Sequence, residues 1–111
     1  MKLVTAIIRE ERLDQVRQAL ASANIDRLTV SRVAGRGRQA DENIHRGEKY
    51  MPSLLPKMRL DIAISDDLVT DVCNSIVRAA KSGSIGDGKI FITPLEQCVR
   101  IRTKESGTMA I

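Results

Sequence analysis

A two-layer α+β sandwich of βαββαβ order, the ferredoxin-like arrangement, is the fold class that this 111-residue sequence predicts. Three observations predict it. Apolar β-branched runs alternate with helical apolar stripes in that order. There are two such helical stripes, enough to cover one face of a four-stranded sheet. The length suits one domain, residues 1–111, with a modest core.

Residues 3–8, Leu-Val-Thr-Ala-Ile-Ile, are apolar on both faces and read as the first strand. Over 11–23, Leu13, Val16 and Leu20 recur at i, i+3 and i+7 with Ala19 and Ala23 beside them, which predicts a helix that stops at Asn24. A second strand over 28–33 carries Thr29, Val30 and Val33. From 34 to 53 the periodicity dissolves among Gly35, Gly37, Gly47 and Pro52. About twenty residues without periodicity inside a small domain are generally functional or mobile. Residues 58–64 alternate as a third strand. Ser65-Asp66-Asp67 reads as a helix start, with acidic groups in the positive first turn. Leu68, Val69, Val72, Ile76, Val77 and Ala80 form that helix's stripe, and Gly83, Gly86 and Gly88 end it. A fourth strand is expected over 89–93, a short fifth over 98–101, and a flexible polar tail from 103 to 111. Leu3 and Ile7 point one way and Val4 and Ile8 the other, so both sets cannot meet the same two helices. The face left bare is expected to be covered by oligomerisation.

Composition narrows the function classes. Hydrophobic residues make up 42% of the chain, too many for a disordered segment. Tyr50 and Phe91 are the only aromatic residues, so the core must be aliphatic. They also leave little material for stacking single-stranded nucleic acid. The net charge of +4 mildly favours phosphates, nucleic acid or an acidic partner. Cys73 and Cys98 form no C-x-x-C pair and read as reduced, packed thiols. The apolar start is too short for a signal segment or a membrane span and ends at Arg9-Glu10-Glu11-Arg12, so the cytoplasm is expected, without membrane insertion.

Three segments could bind anions. Gly83-Ser84-Ile85-Gly86-Asp87-Gly88-Lys89 has three glycines that let the backbone approach a ligand, and Lys89 adds a positive charge. It is close to a P-loop, but Ile90 stands where Ser or Thr would hold magnesium, and the order is helix, loop, strand. Gly35-Arg36-Gly37-Arg38-Gln39 alternates glycine with arginine. Arg100-Ile101-Arg102 would place two arginines on one strand face. A turn, a solvated loop base and an edge strand would leave the same three traces. His45 has no second ligand at metal spacing, and no nucleophile–base set can be assembled. Helix capping accounts for Asp66 and Asp67.

In order along nearly the whole chain, Gly35-x-Gly37-Arg38-Gln39, Arg46-Gly47-Glu48-Lys49-Tyr50-Met51, Leu55-Pro56-Lys57, the 83–91 run and Arg100-Ile101-Arg102-Thr103 resemble the P-II signal-transduction proteins. The resemblance implies a homotrimeric regulatory protein that is not an enzyme, with ATP and ADP competing in clefts between subunits. Gly86, Asp87, Gly88 and Lys89 would cradle phosphates. Gly35, Gly37, Arg38 and Gln39 would form the second wall, and Arg100 and Arg102 would enter from the neighbouring subunit. Thr29 matches a position near the adenine. Gln39 matches the residue that helps hold magnesium and 2-oxoglutarate beside ATP, and Lys57 the one that pairs with that effector's carboxylate. Segment 37–55 would be the mobile loop that docks on a target: an ammonium channel, an enzyme of nitrogen metabolism or another transporter. Tyr50 matches the tyrosine that some members have uridylylated.

The chain departs from the family pattern in places. Its loop is one residue shorter. Ala40-Asp41 replaces a usual Lys-Gly, Glu10-Glu11 a usual Pro-Phe, and Ser84 a common basic residue. Asp41 would set a carboxylate near a dicarboxylate effector and repel it. Two other function classes compete. A small ferredoxin-like nucleotide-using enzyme would need a base or nucleophile in the cleft. A nucleic-acid-binding module would show steep salt dependence.

Overall fold

The computed structural model describes residues 1–37 and 53–111. Its six main elements are β1 (Lys2–Ile8), α1 (Leu13–Ser22), β2 (Thr29–Gly35), β3 (Leu55–Ile64), α2 (Val69–Ala80) and β4 (Gly88–Pro94). The strands form one sheet in the order β2-β3-β1-β4 with every neighbouring pair antiparallel, and α1 packs beside α2. This is the ferredoxin-like α+β sandwich that the pattern predicts.

The core is aliphatic. Val4, Ala6 and Ile8 of β1 and Met58, Leu60, Ile62 and Ile64 of β3 face the helices, where Val16, Leu20, Val72, Ile76 and Ala80 meet them. Each such fully buried large aliphatic side chain contributes about 1.5–3 kcal/mol of transfer free energy. Phe91 stays half exposed and takes no part in this layer.

The opposite sheet face carries Leu3, Thr5 and Ile7 of β1 beside Arg59, Asp61 and Ala63 of β3. It is mixed rather than apolar. The Thr5 hydroxyl donates to Asp61 at 2.7 Å, and Arg59 Nε donates to the other Asp61 oxygen at 3.0 Å.

Element ends follow local chemistry. Asn24, the expected stop of α1, adopts φ +62°, and its N–H donates to the Ala21 carbonyl. The Ile25 N–H then reaches the Leu20 carbonyl at 2.8 Å, and both of those side chains are buried. This is the paired-bond helix stop with its apolar clasp. Both helices open through a 3-10 turn, Glu10–Arg12 and Asp66–Leu68, so α1 begins at Leu13 rather than at residue 11 and α2 at Val69 rather than at Asp66 or Leu68. Ser65 makes no side-chain capping bond. Asp66 instead receives the Met1 ammonium at 2.9 Å, so capping does not account for that carboxylate.

The expected fifth strand over 98–101 is not a strand. Val99 makes one isolated bridge to Ser106, and residues 101–103 turn. The chain then folds back, with the Arg100 N–H bonded to the Glu105 carbonyl at 2.9 Å and Arg27 bonded to the Ile111 carbonyl at 2.9 Å. Cys73 and Cys98 are both free and half-buried, and burial pushes the Cys73 thiol pKa up.

Candidate functional site

Antiparallel pairing brings the end of β2, the start of β3, the end of β1 and the start of β4 to one end of the sheet. In register, Gly35 faces Leu55 and Val33 faces Lys57, while Ile8 faces both Met58 and Gly88. Two glycine-bearing segments far apart in sequence therefore meet. They wall a cleft of about 680 Å³, in the range of small-molecule sites.

One wall is Ala34, Gly35, Arg36 and Gly37. The other runs from Ser84 through Lys89. Ile7, Lys57, Arg59 and Phe91 supply the floor and side. So Gly35, Gly37, Lys57, Gly86, Asp87, Gly88 and Lys89, all expected as site residues, line the same cleft. Thr29 lies at the far end of β2, opposite Asp61, and does not line it. Arg100 and Arg102 do not line the cleft of their own chain either. Arg100 is engaged by Glu105 at 3.5 Å and by the Met109 carbonyl at 3.2 Å. The strand geometry that would have put both arginines on one face is absent. Arg38, Gln39 and Tyr50 lie outside the described residues.

The glycine loop is bent by three left-handed backbone positions, Gly83 at φ +88°, Gly86 at +100° and Gly88 at +114°. Gly88 also runs against β1. A Cβ there would sit 1.8 Å from the Ile7 carbonyl oxygen, so only glycine fits. Left-handed glycines in a tight turn let backbone N–H groups face an anion closely.

Asp87 organises the loop from within. One carboxylate oxygen accepts from Arg9 Nε at 3.2 Å and from the Ser82 hydroxyl. The other accepts from the backbone N–H groups of Ser82 at 2.8 Å and Gly83 at 2.9 Å. The Ser82 bonds, first the hydroxyl and then the N–H, hold its carboxyl far below the usual aspartate range. Its ion pair with Arg9 offsets part of the charge it presents to an anion in the cleft. Arg9 completes the fastening, with Nη2 donating to the Ile85 carbonyl at 2.7 Å.

Arg9 and Ser82 were not among the residues expected from the sequence. Arg9 looks only like the end of an apolar strand, and Ser82 like the polar end of a helix.

Among the described residues Lys57 is the one buried cation, 8% exposed, and its ammonium donates to the Gly86 carbonyl at 2.9 Å. Burial lowers its pKa most and the Arg9 guanidinium lowers it further, with Glu11 and Asp87 pulling the other way. The folded chain thus gives up this proton at lower pH than the unfolded chain, whose value is 10.5. Where the unfolded state binds more protons, stability rises with pH. Wild-type protein should therefore gain stability relative to Lys57→Met as pH approaches 10.5. Thermal melts of both proteins from pH 8 to pH 10.5, taken without ligand, test this; parallel curves would show that Lys57 carries no such cost.

A family model described as nitrogen regulatory protein P-II matches residues 1–105. The chain is 46% identical over 112 aligned positions to nitrogen regulatory protein GlnK of Escherichia coli strain K12, covering all of both chains. It is 46% identical to nitrogen regulatory protein P-II 2 of Methanothermobacter thermautotrophicus, covering all of this chain and 97% of that one. It is 43% identical to nitrogen regulatory protein P-II of Cereibacter sphaeroides, again over the full length of both.

Proposed function

The chain belongs to the P-II family of nitrogen regulatory proteins, and on that premise we propose that it is an adenine-nucleotide sensor that controls a target protein of nitrogen metabolism. The observation that carries this reading is the convergence of Gly35, Gly37, Lys57 and the Gly86–Lys89 backbone on one cleft. The left-handed backbone at Gly86 and Gly88, both in the cleft wall, suits a bound phosphate chain. Gly86, Asp87 and Gly88 would offer backbone N–H groups and Lys89 its ammonium, while Gly35 and Gly37 would face the ligand from β2.

The subunits would form a homotrimer through the bare sheet face, and Arg100 and Arg102 would reach a neighbour's cleft. Thr29 would lie near the adenine. Arg38 and Gln39 would complete the second wall, and Gln39 would hold magnesium when ATP and 2-oxoglutarate are both present. Lys57, which spends its ammonium on the Gly86 carbonyl, would turn it to the effector's carboxylate. The protein acts by binding in the cytoplasm, not by catalysis.

Segment 37–55 would dock on the target, an ammonium channel, another transporter or an enzyme, with Tyr50 as its modification position. Nucleotide state reaches that segment because Gly37 belongs both to the cleft wall and to the segment's base. A ligand shifts such a segment only by its differential affinity for the segment's states. ATP and ADP are therefore expected to give different hydrogen-exchange protection across residues 40–54. Calorimetry with ATP, ADP and AMP, each with and without 2-oxoglutarate and magnesium, establishes the binding. Identical exchange in every nucleotide state would remove the switch from this reading.

A further inference from the structure

We propose that Ser82 is a positioning residue for the glycine loop, shaping the nucleotide cleft through Asp87 without touching the ligand. This inference rests on the nucleotide-binding reading of that cleft. Ser82 does not line the cleft, yet it sits at the centre of the loop's fastening. Its hydroxyl donates to Asp87 Oδ1 and accepts the Ser84 N–H at 3.3 Å, while its own N–H donates to Asp87 Oδ2 at 2.8 Å. The Gly83 N–H joins the same oxygen at 2.9 Å.

These bonds close a ring between residues 82–84 and residue 87. What the ring leaves outside is the arc Ile85 and Gly86, which lines the cleft. The ring holds at a point where the backbone turns twice into the left-handed region, at Gly83 and Gly86. Without it those two glycines are the most conformationally free positions in the loop. A preorganised cradle avoids the ordering cost that a loose one meets on binding. The second consequence is electrostatic. With the hydroxyl in place, both oxygens of Asp87, itself a cleft-lining residue, are held by donors of its own chain. Once the hydroxyl is removed, one oxygen loses a partner and can turn toward the phosphates.

The test compares wild type, Ser82→Ala and Ser82→Thr. ADP affinity is measured by calorimetry at neutral pH, melting temperature by calorimetric scan, and the Asp87 carboxyl by its 13C titration. Ser82→Ala should bind ADP about tenfold more weakly, because the loosened loop must be ordered on binding. Ser82→Thr, which keeps the hydroxyl, should bind as wild type does. The Asp87 titration should move up toward the usual aspartate value of 3.8 in Ser82→Ala and not in Ser82→Thr. A merely structural serine would move the melting temperature and leave that titration in place. Ser82→Ala with wild-type ADP affinity overturns the inference and leaves the nucleotide reading standing. Equal weakening in both variants also overturns it. Wild-type protein that binds no ADP overturns the nucleotide reading itself, and this inference with it.

Discussion

Gly88→Ala is expected to lower the melting temperature by about 10 °C or more, the largest stability effect of any single methyl group added to the glycine loop. The reason is a backbone collision combined with a forbidden conformation. At φ +114°, an L-residue carries strain of about 1–3 kcal/mol. The added Cβ would also meet the Ile7 carbonyl oxygen at 1.8 Å, the Ile7 carbonyl carbon at 2.9 Å and Ile8 Cα at 3.2 Å. All three are main-chain atoms of β1, so no side chain can swing aside. Relief requires β4 to lift from β1 at the Ile8–Gly88 pair, or β1 to shift with the core residues Ala6 and Ile8 that it carries. In domains of this size 1 kcal/mol moves the melting temperature by about 4–8 °C. Gly83→Ala is the control. Its φ is +88°, but nothing lies within 4 Å of the position its new methyl group would take, so it carries the conformational cost alone. Differential scanning calorimetry of both variants decides the matter. Equal, small shifts would mean that the approach of β4 to β1 is not tight at Gly88.

The contrast between Gly83 and Gly88 also shows what one sequence can and cannot disclose. Three glycines in seven residues announce a turn and a close approach. They do not announce which glycine is sterically obligatory, because that depends on a strand more than seventy-five residues away in the chain. The strands and helices were legible because burial on one face leaves a period in the apolar residues, as in Val4, Ala6 and Ile8 or Val72, Ile76 and Ala80. Asn24 was legible as a stop because a short amide side chain tolerates the left-handed backbone that ends a helix. Arg100-Ile101-Arg102 misled, because polar–apolar alternation is the mark of a strand and also of a tight turn with Ile101 in solvent. The two cleft walls were named from glycine and cation content, and pairing of β2 with β3 and β1 with β4 brings them together. The fastening by Arg9 and Ser82 was not legible. Their donors converge on Asp87 only after the sheet has formed, and nothing in residue type or spacing marks them.

Lys89→Ala is expected to weaken ATP binding by about ten- to a hundredfold. Three charged side chains of the cleft can be compared. Lys57 is committed to the Gly86 carbonyl, and Asp87 is committed to Arg9, Ser82 and Gly83. Lys89 makes no ion pair or side-chain hydrogen bond among the described residues, although it lines the cleft beside Gly88. It pairs in register with Ile7, so β1 and β4 fix its backbone while its side chain extends from the bare sheet face. A positioned backbone with an uncommitted ammonium is what a phosphate needs: the contact can form without first breaking another. A charge-assisted hydrogen bond is worth about 1.5–3 kcal/mol, which corresponds to the stated range at 1.4 kcal/mol per tenfold. The substitution leaves the core untouched, because Lys89 is exposed, so the melting temperature without ligand should hardly change. Lys89→Arg should retain most of the affinity if charge dominates, and lose much of it if the cradle accepts only a compact ammonium. AMP, whose single phosphate reaches fewer cradle groups, should lose less than ATP does. Titration calorimetry of ATP and AMP against wild type and both variants measures all of this. Unchanged ATP affinity in Lys89→Ala would place the phosphates elsewhere than against the Gly86–Lys89 wall.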